Sequence, residues 1–122
     1  MRSDSENMIA VESKAFAIRC IRLYQFLTEN KMEFVMCKQM LRSGTSIGAN
    51  VKEALRGQSK ADFGSKMNIA LKEACETEYW LELLAETNYI SQDDFSSMVN
   101  DCKKLIRILT AIVKSTFRSH QV

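Results

Sequence analysis

The sequence predicts an all-α fold, an antiparallel up-down-up-down four-helix bundle, and three observations carry that prediction. Apolar residues recur at helical period in four separate stretches. Short polar junctions join those stretches, which makes consecutive helices antiparallel neighbours. The chain of 122 residues contains no proline and only four glycines, so little in it interrupts a helix. One core suits this length, burying about two-thirds of the surface of the unfolded chain, and no second domain is needed.

Residues 1–12 begin polar and show no sustained period, so a flexible N-terminal tail is expected there, with the bundle occupying residues 13–119. Ser13 is the expected cap of the first helix. Over residues 14–29 the side chains of Phe16, Ala17, Cys20, Leu23, Tyr24 and Leu27 share a face, and Asn30 is a natural stop. Ile18 and Phe26 lie outside that face with Arg19 and Arg22 between them. This mixed surface reads either as a broad stripe with solvated arginines or as an interface for a subunit or ligand.

The second helix is expected over residues 33–56. Residues 41–51, Leu-Arg-Ser-Gly-Thr-Ser-Ile-Gly-Ala-Asn-Val, have the composition of a loop. At 100° per residue, however, Cys37, Met40, Leu41, Gly44, Ile47, Gly48, Val51, Ala54 and Leu55 form one unbroken stripe. Two glycines inside a helix cost about 1 kcal/mol each relative to alanine. Gly44 and Gly48, spaced i and i+4 on the stripe, compensate by letting another helix approach closely. Arg42, Ser43, Thr45, Ser46 and Asn50 offer polar groups along its edges. Gly57 is the expected C-terminal stop.

Ser59 with Asp62 resembles a capping box, and Phe63, Met67, Ala70, Ala74, Leu81, Leu84 and Ala85 then hold helical phase to about Thr87. In an antiparallel hairpin of helices 2 and 3, Arg42 falls opposite Cys75, within a turn of Glu76 and Glu78, so ion pairing explains the acidic face. Trp80, Ile69 and Leu83 make a second apolar strip, suited to packing against another helix or subunit. Ser91, Asp93 and Asp94 suit the start of the fourth helix. Its stripe runs through Phe95, Met98, Val99, Cys102, Leu105, Ile106, Leu109, Ile112, Val113 and Phe117. Beside it Lys103, Arg107, Lys114 and Arg118 form a basic ridge about 22 Å long at 1.5 Å rise per residue. Such a ridge is either a solvated face near a helix C-terminus or a track for nucleic-acid phosphates.

Seventeen Lys and Arg against fifteen Asp and Glu give a net charge of +2, so the distribution of charge matters more than its sum. No signal peptide and no membrane-spanning apolar run is present, and a cytoplasmic protein without membrane contact is expected. Cys20, Cys37, Cys75 and Cys102 fall one per helix with no Cys-x-x-Cys pair, which favours buried reduced thiols over a metal site. Carboxylate-bridged metal centres in bundles use Glu-x-x-His pairs, and the lone histidine is His120. No nucleophile with a partner base and no phosphate-cradling glycine loop is seen, so neither an enzyme, a metal nor a cofactor is expected.

Leu-Arg-Ser-Gly-Thr-Ser-Ile-Gly-Ala-Asn-Val-Lys-Glu-Ala at residues 41–54 is followed by Gln-Ser-Lys-Ala-Asp-Phe at 58–63, Ala-Leu-Lys-Glu-Ala at 70–74 and Glu-Tyr-Trp-Leu at 78–81. Together these closely resemble the four-helix-bundle family of 23S ribosomal RNA intervening-sequence proteins, over about residues 14–117. The resemblance implies a ring-shaped homopentamer and extends to accessory proteins of diversity-generating retroelements, similar bundles that bind nucleic acid and a reverse transcriptase through basic surfaces. It implies no catalytic residue. Arg42, Ser43, Ser46, Asn50 and Glu53 match the motif and, with Gly44 and Gly48, are assigned to helix packing and assembly. The expected function is non-enzymatic binding of nucleic acid, RNA above all, by a homo-oligomer that repeats Lys103, Arg107, Lys114 and Arg118, with Arg19 and Arg22. The alternative is an oligomeric scaffold for a protein such as a polymerase or reverse transcriptase, presenting Trp80, Ile18 and Phe26.

Overall fold

The computed structural model describes residues 2–118, which form four helices: α1 (Asp4–Asn30), α2 (Met36–Leu55), α3 (Lys60–Glu86) and α4 (Gln92–Arg118). Among the described residues there is no strand. Consecutive helices pack as hairpins, and α1 meets α4 over a smaller area to close the bundle.

α1 starts at Asp4, ten residues before the expected Lys14, so residues 4–12 are helical where a loose tail was expected. Ser3 is the cap in place of Ser13. The Glu6 N–H donates to Ser3 Oγ at 3.1 Å and the Ser3 N–H to Glu6 Oε2 at 3.3 Å, a reciprocal capping box. The added turns are anchored by Ile9, which is fully buried and in phase with Phe16, Cys20 and Leu27. Ser13 is buried in the same stripe, and its polarity hides the period from the sequence.

Each junction has its own device. Met32 adopts left-handed backbone (φ 53°), and the following Glu33 N–H donates to the Leu27 carbonyl at 3.1 Å. The Glu33 carboxylate, buried, accepts from the N–H groups of Val35 (2.7 Å), Met36 (3.1 Å) and Cys37 (2.7 Å). It therefore caps α2 from outside rather than opening it, and satisfies three donors that the first turn leaves unpaired. Gly57 is not left-handed, contrary to the expected helix stop. It is needed for room, since a Cβ there would lie 2.8 Å from Asp62 Oδ2 and 3.0 Å from the Ala54 carbonyl. Ser59 Oγ accepts the Asp62 N–H at 3.0 Å as expected. α3 ends at left-handed Asn88 (φ 66°), with bonds from Asn88 N–H to Ala85 O (3.1 Å) and Tyr89 N–H to Leu84 O (2.9 Å). Ser91 Oγ accepts the Asp94 N–H at 3.1 Å and starts α4.

The core takes Met40, Ile47, Met67, Leu81, Leu84, Leu105 and Leu109 from three helices, and Ile9, Phe16 and Leu27 from α1. Helical registration follows from contacts. A Cβ on Gly44 would strike the Cys20 side chain, with 3.2 Å to Cys20 Cβ, and one on Gly48 would lie 3.4 Å from Ser13 Oγ. Both glycines therefore face α1, Gly44 making room for the Cys20 side chain and Gly48 for the backbone at Ser13. The antiparallel packing also sorts charge along the bundle. Residues 2–17, 46–73 and 107–118 make one end and carry ten Lys or Arg against six Asp or Glu, whereas the other end carries seven against nine.

Candidate nucleic-acid interface

A residue on α4 advances 100° around the helix, which sets Lys103, Arg107, Lys114 and Arg118 within a 60° arc. The core side of the same helix holds Cys102, Leu105, Leu109, Ile112 and Thr116, so the four cations face away from it, and all four are exposed. Lys103 Nζ lies 4.0 Å from Glu78 Oε2, the outer limit of an ion pair. Arg107, Lys114 and Arg118 make no ion pair among the described residues. Like charges at i and i+4, as in Lys103 with Arg107 and Lys114 with Arg118, destabilise a helix by about 0.2–0.5 kcal/mol per pair. A polyanion relieves that repulsion.

The arginines of α1 do not extend this ridge. The Arg19 guanidinium donates to Asp101 Oδ2 (2.6 Å), to Ser97 Oγ (2.9 Å) and to the Ser97 carbonyl (3.3 Å), clasping α1 to α4. One helical side of that seam is also held by Lys104 and Glu12 at 3.1 Å. Arg22 is exposed and lines a shallow depression with Leu23, Phe26, Asp94 and Met98, near the start of α4 and beyond the end of the ridge.

The motif on α2 is divided between its neighbours. Arg42 pairs with Glu73 of α3 at 3.1 Å and with Glu76, while Glu78, the other expected partner, points to α4 instead. A residue at 78 is two positions past 76, on another side of α3. Trp80 Nε1 also donates to Glu76 Oε2 at 3.0 Å. That bond first, and Arg42 after it, hold the Glu76 carboxyl below the usual glutamate range. Ser43 is buried with its hydroxyl 2.8 Å from that of Thr77, and Glu53 pairs with Lys66 at 3.4 Å. Ser46 and Asn50 turn back on their own helix, to the carbonyls of Arg42 (2.6 Å) and Ser46 (2.8 Å), and do not tie it to another. Gly44 and Gly48 serve α1, as described above.

Cys20, Cys37 and Cys102 are buried free thiols and Cys75 is an exposed one. Burial pushes the Cys20 thiol up to about 12 and raises Cys102 as well, so neither ionises near neutral pH. Among the described residues no three His, Cys, Asp or Glu side chains are grouped as metal ligands, and no helix is long and apolar enough to cross a membrane. His120 lies outside the described residues. The Arg19 clasp was not legible in sequence because its partners lie about 80 residues away, and the Glu33 cap was missed because the sequence places Glu33 as the first residue of α2 and not as the acceptor outside it.

These features define a class of protein first: a small four-helix bundle whose last helix carries a basic outer face, three of its four cations making no ion pair among the described residues. The chain belongs to the 23S rRNA-intervening sequence protein family, whose profile matches residues 5–111. A crystal structure of a protein with unknown function from the S23 ribosomal protein family, from Bacteroides thetaiotaomicron VPI-5482, is 53% identical in sequence and superposes with a TM-score of 0.89. The alignment covers 90% of this chain and 98% of that one. No curated protein matches the chain.

Proposed function

We propose that this protein is a non-enzymatic nucleic-acid-binding bundle, with RNA as its polymer, acting as a homo-oligomer that repeats the α4 ridge around an axis. One observation carries the reading: Arg107, Lys114 and Arg118 are exposed, aligned and without an ion-pair partner among the described residues. Each phosphate such a cation meets releases condensed counterions, which is the main source of sequence-independent affinity. The family's association with 23S rRNA inserts supports RNA over DNA. Oligomerisation multiplies a patch that is weak in one subunit. The outer side of α1 supports assembly, with Val11, Ile18 and Phe26 at 68%, 46% and 40% exposure. A ring of five is the arrangement that the family resemblance favours. The reading places the protein in the cytoplasm, where its four free thiols stay reduced.

The test is binding of the mass-verified oligomer to a structured RNA and a matched DNA duplex across a salt series, beside a variant carrying Lys103→Glu, Arg107→Glu and Lys114→Glu. Expected are tight binding that weakens steeply with salt and its loss in the variant at unchanged oligomeric mass. Absence of binding by the intact oligomer at low salt overturns the reading. The exposed apolar residues of α1 favour a second reading, a scaffold for a protein partner such as a polymerase or reverse transcriptase. That reading requires a partner retained in a pull-down after nuclease treatment.

A further inference from the structure

A groove of about 430 Å³ runs between α1 and the C-terminal half of α2, on helices that the α4 ridge does not use. Its origin is steric. α1 and α2 approach closely at Gly48 and Ser13, and the small side chains of Ala10, Ala17 and Ala49 leave their outer seam hollow. Four cations surround it: Lys14 from α1, Lys52 and Arg56 from α2, and Arg2 at its end. No lining residue is acidic, and none of the four makes an ion pair among the described residues. Of the carboxylates at this end of the bundle, Glu6 accepts from the Ser3 N–H, Glu12 pairs with Lys104 and Glu53 with Lys66, while Asp4 and Asp62 are not among the lining residues.

The register is what gives this arrangement a ligand. Because Ser13 meets Gly48, Lys14 stands near the level of Gly48 on the α1 wall, while Lys52 and Arg56 follow one and two turns further on the α2 wall, and Arg2 lines the same groove from the α1 side. Measured along the groove, the cations of its two walls thus succeed one another at intervals of about one turn, about 6 Å at 1.5 Å rise per residue. Such a repeat suits a chain with a charge on every unit better than a compact anion. We infer that the groove receives the sugar–phosphate backbone of a single nucleic-acid strand, as a second phosphate track. This rests on the nucleic-acid reading above and adds a site to it. No aromatic side chain lines the groove, so no base is stacked there and binding is independent of sequence.

Anisotropy titration of labelled oligouridylate across a salt series tests the inference with three folded variants of the full chain. Lys14→Ala with Lys52→Ala and Arg56→Ala is expected to reduce the log–log salt slope by about 2, at about 0.7 per phosphate contact on a single strand. Ala49→Trp, which places a bulky side chain in the groove without changing charge, is expected to lose most of the oligouridylate binding. The α4 variant described above is expected to keep oligouridylate and lose duplex RNA. Wild-type affinity and slope in both groove variants overturn the inference and leave the ridge standing. Displacement of oligouridylate by polyglutamate at equal charge, as readily as by unlabelled oligouridylate, also overturns it, because the groove then accepts any acidic chain. Groove variants that lose oligouridylate while the α4 variant keeps duplex RNA sustain the groove and remove the ridge.

Discussion

Gly44 and Gly48 stand one turn apart on α2 and face the same helix, yet alanine is expected to act oppositely at the two. At Gly48 a methyl group meets Ser13 at ordinary contact distance, 3.4 Å, so Gly48→Ala keeps the helix-propensity gain of about 1 kcal/mol. At Gly44 it collides with Cys20, which is fully buried and has nowhere to move, and overpacking of about 1–3 kcal/mol outweighs the same gain. Urea unfolding of both variants checks the two signs, and Cys20→Ala added to Gly44→Ala is expected to restore stability. Glu76 supplies a pH dependence. Its folded pKa lies below the ordinary 4.5, so the unfolded chain binds more protons as pH falls. The stabilisation is complete above that ordinary value and is lost as pH drops through the lower folded one. Trp80→Phe removes the largest cause, and an NMR titration of the Glu76 carboxyl is expected to show its midpoint rising.

Among the elements, α2 depends on a residue outside it. Glu33 is the acceptor for three N–H groups of the first turn, and its neighbour Val35 contributes no side-chain cap. Glu33→Ala is expected to destabilise the protein by about 2 kcal/mol, at the upper end for a lost cap because the site is buried, whereas Glu33→Gln keeps an acceptor and loses less. Denaturation midpoints with amide exchange at Val35–Cys37 distinguish a local from a global effect. α2 was legible in sequence through its loop-like centre because the stripe from Cys37 to Ala54 never changes phase. The start of α1 was not, because Met8, Ile9, Ala10 and Val11 are four consecutive apolar residues with no helical period, and the next buried position of the stripe, Ser13, is polar. The apolar start and end of α3 were clear, while Thr77 further along is buried with its hydroxyl bonded to Ser43 opposite it and to the Glu73 carbonyl.

For the whole molecule, the axial sorting of charge concentrates cations at the end where α4 finishes and α2 turns into α3, so a net charge of +2 understates the field that a polyanion meets there. Assembly is the other property at this scale. Val11 and Ile18 are two turns apart on the exposed side of α1, away from Ile9, Phe16 and Cys20. On the proposed reading, Val11→Glu with Ile18→Glu lowers the mass measured by sedimentation equilibrium to that of a smaller species, with helical circular dichroism unchanged. Retention of the native mass removes this face from the assembly surface. Loss of RNA affinity together with mass is expected, because separate ridges no longer act on one polymer.

Periodicity alone determined that this chain makes four amphipathic helices, that α2 runs through its glycines and that the basic residues of α4 share a line. Those are properties of one helix, set by the constant advance of 100° per residue. Which charges remain free was decided by tertiary structure, since it depends on the register between helices. Arg19 is neutralised by Asp101 far along the chain, Glu78 turns to Lys103 instead of Arg42, and Lys14, Lys52 and Arg56 come to line one groove from two helices. A sequence pattern records the face on which a side chain lies, but only the packed bundle sets what stands opposite it.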